Sequence, residues 1–164
     1  MFVPNLAACA IEVRRRIVLN IEDNPANVKL FEGIVQRRGD LRLMTAVNGA
    51  QGIKMAVMDV PDVILMDIKL LDMDGYGVLD ILQDNVLTSH VPAIALSSFA
   101  HPIDIEKGLK AGFYRYLTKP FKIDELLTAI DSAMLYSQEK SGRARYVGEM
   151  TCVKACEWVS GFQC

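Results

Sequence analysis

Glu22 with Asp23, Asp67, Ser97 with Ser98, and Lys119 each stand just after a short apolar run. If those runs are strands of one parallel sheet, the residues collect at its carboxyl edge, where open α/β sheets place their functional groups. Carboxylates gathered on one edge repel each other and hold protons more tightly unless a cation sits among them. Hard oxygen ligands of this kind suit Mg2+, which takes few protein carboxylates and keeps water or substrate oxygens in its other positions. The same set suits phosphoryl transfer. A carboxylate such as Asp67 can act as nucleophile and form an acyl phosphate, and the loose transition state then mainly needs its equatorial oxygens neutralised. Mg2+ can take one oxygen, the Lys119 ammonium a second, and the Ser97 hydroxyl with nearby backbone N–H groups a third.

The elements that would position these groups are legible. Strand-sized apolar runs occur at 17–19, 41–47, 63–66, 93–96 and 114–117, and the runs 63–66 and 93–96 show no alternation, as strands covered on both faces require. Asn20 is a polar residue inside the first strand, with no evident reason. Asn24-Pro25 places a side-chain acceptor at a helix N-cap and proline at the first helical position, with Val28, Phe31 and Val35 following at helical spacing. Asn48 and Gln51 resemble a capping box, and the spacing predicts Ala50, Ile53 and Val57 on one face of the second helix. Val78, Leu79 and Leu82 mark a third helix, and Ile105 with Leu109 a weak fourth. Ile123, Leu126, Leu127, Ile130 and Met134 give a clear amphipathic stripe for the fifth, predicted to end near Gln138. Alternation of strands and helices predicts a doubly wound α/β domain, a five-stranded parallel sheet in three layers.

The chain of 164 residues and 18.2 kDa accommodates one core of this size. A hydrophobic fraction of 51% and a net charge of -2 exclude a disordered chain and argue against nucleic-acid affinity. No apolar run approaches a membrane span, and the Arg14-Arg15-Arg16 cluster follows rather than precedes the apolar start, unlike a secretory signal. The expected location is cytoplasmic. Residues 17–140 carry 12 Lys and Arg against 17 Asp and Glu, a net of -5, so the acidity belongs to the expected domain. All the cysteines (Cys9, Cys152, Cys156, Cys164) lie near the termini, which excludes a disulfide scaffold, and the tail supplies too few ligands for structural zinc. His90 and His101 are not spaced as metal ligands and read as surface or loop residues. The division is an N-terminal extension at 1–15, a domain at 16–138 and a tail at 139–164.

Within that domain, Ile17-Val18-Leu19-Asn20-Ile21-Glu22-Asp23-Asn24, Pro61 to Ile68, Met73-Asp74-Gly75, Val91 to Ser97 and Tyr116-Leu117-Thr118-Lys119-Pro120-Phe121 resemble, in order and spacing, the receiver domain of two-component response regulators. The resemblance implies the flavodoxin-like strand order 2-1-3-4-5. It implies Asp67 as phosphoacceptor for a histidine kinase or histidine phosphotransfer protein, Glu22 and Asp23 as the acidic pocket, and Mg2+ held by Asp23, Asp67 and the Lys69 backbone carbonyl. It further implies Ser97 as switch hydroxyl, Tyr116 as the aromatic that reports its movement, Lys119 as the phosphoryl-binding lysine, and a cis Lys119–Pro120 bond. The face of the fourth helix, fifth strand and fifth helix is then the readout surface and the place for a homodimer. No enzyme activity beyond slow autodephosphorylation is expected, and Phe99 with Lys69 near the water path implies that the hydrolysis is slow.

This sequence also departs from the family pattern. Leu71 stands where proline is usual, which implies a less rigid loop, and Phe113-Tyr114-Arg115-Tyr116 makes the fifth strand unusually aromatic. Ser98 is the alternative to Ser97. Other phosphate-binding α/β folds fit poorly: an acidic first turn would repel a nucleotide, and Lys69 replaces the second aspartate of a haloacid dehalogenase-type phosphatase. The remaining competitor is a receiver-like interaction module working without phosphorylation, which would not need the acidic pair, Asp67 and Lys119 together. Too few residues follow 138 for an ordinary winged-helix domain, so a stand-alone regulator or the receiver of a hybrid sensor histidine kinase is expected; the Gly112 to Tyr116 region resembles the latter.

Overall fold

The computed structural model describes residues 15–156, with side chains described for 15–140. The N-terminal extension to residue 14 and residues 157–164, with Cys9 and Cys164, lie outside the described residues, as do the side chains of Cys152 and Cys156. Strands β1 (Arg16–Ile21), β2 (Leu41–Ala46), β3 (Val63–Asp67), β4 (Ala93–Ser97) and β5 (Arg115–Thr118) alternate with helices α1 (Pro25–Val35), α2 (Gly49–Asp59), α3 (Gly75–Asp84), α4 (Pro102–Ala111) and α5 (Ile123–Cys156). All strand pairs are parallel, in the order β2-β1-β3-β4-β5. This is the flavodoxin-like, doubly wound arrangement expected from the sequence.

Each central strand sends alternate side chains into two separate cores. Val18, Val63, Leu65, Ile94 and Leu96 pack with α1 and α5, burying Phe31, Ile34, Leu126, Ile130 and Met134. Leu19, Ile21, Ile64, Met66 and Ala95 pack on the opposite layer with Ala56 of α2 and Val78, Leu79 and Leu82 of α3. Burial on both faces is why the runs in β3 and β4 are apolar throughout. Each fully buried aliphatic side chain contributes about 1.5–3 kcal/mol by removal from water.

Asn24 caps α1, its Oδ1 accepting from the Ala26 N–H at 2.9 Å with Pro25 following. Asn48 caps α2 by accepting from the Gln51 N–H at 2.8 Å, but Gln51 Oε1 accepts from Val47 rather than from the cap residue, so the box closes one residue early. The predicted face of α2 needs correction. Ala50 is exposed, Ile53 and Val57 are half-buried, and the buried positions are Gly49, Gly52 and Ala56. A Cβ on Gly49 would lie 2.6 Å from Met73 Cγ, so glycine permits a close approach that hydrophobic periodicity does not register. In α4 the predicted Leu109 is 47% exposed and the buried residue is Gly108. Helix α5 continues past the expected end near Gln138 to Cys156, and Ser137 is its last buried residue among the described side chains. Its predicted first stripe position, Ile123, is 46% exposed. Among the described residues no helix is long and apolar enough to cross a membrane.

Candidate functional site

The carboxyl ends of β1, β3, β4 and β5 meet at one edge and deliver Glu22, Asp67, Ser97 and Lys119 there. Parallel pairing sets the levels: Asp67 is opposite Leu96, and Ser97 is opposite Thr118. The Lys119 N–H donates to the Ser97 carbonyl at 2.7 Å, and the Lys119–Pro120 bond is cis, as expected. The Lys119 ammonium donates to Asp67 Oδ2 at 2.5 Å and to Glu22 Oε2 at 2.9 Å. It is the cation that the gathered carboxylates require. Burial pulls its pKa down, but hydrogen bonds to Asp67 and Glu22 and their charges more than offset this, and the net shift is upward. The lysine therefore stays charged.

Glu22 is fully buried, and its second oxygen accepts from the Asn24 N–H at 3.2 Å. Asp67 Oδ1 accepts from the Lys69 N–H at 2.8 Å. Asp23, by contrast, lines a cleft of about 560 Å³ together with Lys69, Leu71, Tyr76, Phe99 and Tyr116. Among the described residues no three His, Cys, Asp or Glu side chains are grouped to hold a metal. Mg2+ takes only one or two protein carboxylates. Glu22, fully buried, is the poor ligand of the three acids; Asp23, Asp67 and the Lys69 carbonyl are hard oxygen donors whose chemistry suits the ion.

The loop after Asp67 is anchored, despite Leu71 in place of proline. Leu71 itself is 91% exposed, but the next residue, Asp72, accepts from the Gly49 and Ala50 N–H groups at 2.9 Å each. These two bonds hold the Asp72 carboxyl below the usual carboxylate range and tie the loop to the N-terminus of α2. Lys69 and Asp74 also form an isolated antiparallel bridge, and the Gly75 N–H donates to the Ile68 carbonyl at 2.9 Å.

The structure separates the two serines. Ser97 is buried, its Oγ accepting from the Phe99 N–H at 3.1 Å, whereas Ser98 is exposed. Tyr116 is also buried, with its ring against Gly108 of α4. Several contributors went unread in the sequence. Tyr76 meets Phe113 edge-on at 5.7 Å and carries Lys107 over its ring at 4.6 Å. Lys69 and Phe99, singled out together in the sequence, do meet: the Lys69 ammonium stands over the Phe99 ring at 4.4 Å. His101, expected as a surface or loop residue, caps α4 by accepting the Ile103 N–H on Nδ1 at 3.3 Å, with Pro102 at the first helical position as the available signal.

The family model described as the response regulator receiver domain matches residues 18–131. This chain belongs to the response regulator receiver family. The receiver is 34% identical over 115 residues to the polar-differentiation response regulator DivK of Brucella anthropi, covering 70% of this chain and 93% of DivK. It is 32% identical over 124 residues to the response regulator PleD of Caulobacter vibrioides, covering 76% of this chain but 25% of PleD. Its structure is similar, at a TM-score of 0.67 and 33% identity, to the receiver domain of the sensor histidine kinase PA1611 of Pseudomonas aeruginosa PAO1, a crystal structure with a magnesium ion coordinated in the active site cleft. That similarity covers 73% of this chain and 98% of the other. Receiver domains as a family are phosphoacceptors rather than enzymes, and they interact with histidine kinases or phosphotransfer proteins.

Proposed function

We propose that this receiver accepts a phosphoryl group on Asp67 from the phosphohistidine of a kinase or phosphotransfer protein, and that Ser97 and Tyr116 convert the phosphorylation into a change of its binding face. The observation that carries this reading is the Lys119 ammonium held between Asp67 and the fully buried Glu22. A lysine paired this way stays charged and is already placed beside the oxygens of a phosphoryl group attached to Asp67. When bound, Mg2+ would neutralise phosphoryl oxygen charge, and Asp23, Asp67 and the Lys69 carbonyl are the residues to hold it. The magnesium in the receiver of PA1611 supports this assignment.

Within the chain, Asp67 Oδ1 is oriented by the Lys69 N–H, which leaves the carboxylate fixed rather than rotating between partners. Burial of the neighbouring Ser97 places a hydroxyl, now shared with the Phe99 N–H, at the same edge. Donation of the Ser97 O–H to a phosphoryl oxygen would bias the β4–α4 loop and the room available to Tyr116. Helix α4 exposes Ile103 and Leu109, and helix α5 exposes Leu135, apolar side chains available to a partner or a second copy that docks on these elements. The match across most of DivK supports a stand-alone regulator, and the likeness to the receiver of PA1611 supports a unit of a hybrid kinase.

Beryllofluoride with Mg2+, which mimics an acyl phosphate, tests the switch. The Tyr116 resonances should shift in the wild type and stay unchanged in Asp67→Ala; a wild type that does not respond, or a variant that responds equally, would overturn the reading.

A further inference from the structure

Gly108 is the single buried residue of α4, although Ile105 and Leu109 give that helix its visible apolar spacing. A Cβ built on Gly108 would lie 2.5 Å from Tyr116 Cδ2 and 2.9 Å from Cε2, and 3.6 Å from the Tyr76 hydroxyl oxygen. Carbon atoms rest at roughly 3.5–4.0 Å, so the tyrosine ring occupies the space a side chain would need. The contacted atoms belong to the flank of a ring anchored in β5, not to the tip of a flexible chain. Elsewhere along α4, Ile105 and Ala111 are only partly buried against this core.

We propose that Gly108 is a positioning residue, the seat that lets α4 hold its present place while the Tyr116 ring lies inside. Its missing Cβ makes ring and helix interdependent: with the ring inside, α4 can approach this closely only through glycine, and with the ring outside, the vacated volume lies directly beneath the helix. Interiors do not tolerate such a void, so α4 shifts to fill it. This signalling consequence rests on Tyr116 acting as the switch; the packing relationship does not.

A double-mutant cycle on unphosphorylated protein tests it. Alanine is a better helix former than glycine, so Gly108→Ala alone should lower the unfolding constant roughly two- to fivefold if nothing opposes it. With Tyr116 present the opposite is expected: the unfolding constant rises, and the fluorine resonance of fluorotyrosine at position 116 moves toward its solvent-exposed value. In Tyr116→Val, which lacks the ring atoms facing Gly108, Gly108→Ala should regain the helix-former benefit, a non-additivity of about tenfold or more. If Gly108→Ala does not fold alone, folding of the double variant is the same result. Equal effects of Gly108→Ala in both backgrounds would overturn the proposal. Additivity together with a beryllofluoride-responsive Tyr116 removes the seat and leaves the switch; coupling with an unresponsive Tyr116 leaves the seat and removes the switch.

Discussion

The Lys69 ammonium lies 4.4 Å from the centre of the Phe99 ring, so the loops after β3 and β4 meet across the cleft that Asp23 lines. We propose that this contact between residues from two strand ends limits the approach of water to a phosphoryl group on Asp67. A cation held over an exposed ring is worth about 0.5–1 kcal/mol, enough to favour the closed arrangement without locking it.

The acyl phosphate on Asp67 is accordingly expected to persist for minutes rather than seconds. Phe99→Ala and Lys69→Ala should each shorten its lifetime several-fold, measured as loss of the phosphoprotein after removal of the phosphodonor. Lifetimes of seconds in the wild type, or variants that hydrolyse no faster, would contradict the role given to this pair.

Asp72 joins the β3–α3 loop to the start of α2 through the Gly49 and Ala50 N–H groups. Because its folded pKa is depressed, its stabilisation is fully present above the unfolded value near ~3.9 and is lost as pH falls through the lower folded value. Asp72→Ala should therefore lose about 1 kcal/mol at neutral pH, the size of a helix-cap contribution, and the difference from wild type should shrink as the pH is lowered below about 4. Urea titrations of both proteins across that range check it. Asp40, held down to about 2 by its hydrogen bonds to Arg38, is acid-labile in the same direction in both proteins and cancels in the comparison.

Where side-chain chemistry repeats along the chain, the sequence was sufficient. The continuous apolar runs of β3 and β4, the Asn24 and Asn48 caps, and the residues ending β1, β3, β4 and β5 all lie where pattern and capping chemistry put them. Packing through an absent side chain was not legible. Gly49, Gly52 and Gly108 are buried because neighbours fill the space their Cβ atoms would take, and a hydrophobic period assigns those helices the faces of Ala50 and Leu109 instead. The Lys119 bridge to Glu22 and Asp67 spans 97 and 52 residues and depends on strand order. Strand order came from the family resemblance, because local pattern shows which segments are strands but not which become neighbours.

Asn20 remained unexplained in the sequence and is completely buried in β1, opposite Thr45 and Leu65, with neither amide atom hydrogen-bonded to protein. A buried polar group left unsatisfied costs about 1–3 kcal/mol, and an apolar group of similar shape avoids that penalty. Asn20→Leu is expected to raise the melting temperature by roughly 2–4 °C or more. A lower melting temperature would show that the amide is used.

Everything proposed for the switch depends on Asp67 receiving the phosphoryl group. Intact-protein mass measurement after incubation with acetyl phosphate and Mg2+ tests it most directly, run in parallel on the wild type and Asp67→Asn. One added phosphoryl group is expected on the wild type, dependent on Mg2+, and none on the variant; no addition to the wild type, or equal addition to Asp67→Asn, would rule out Asp67 as the acceptor.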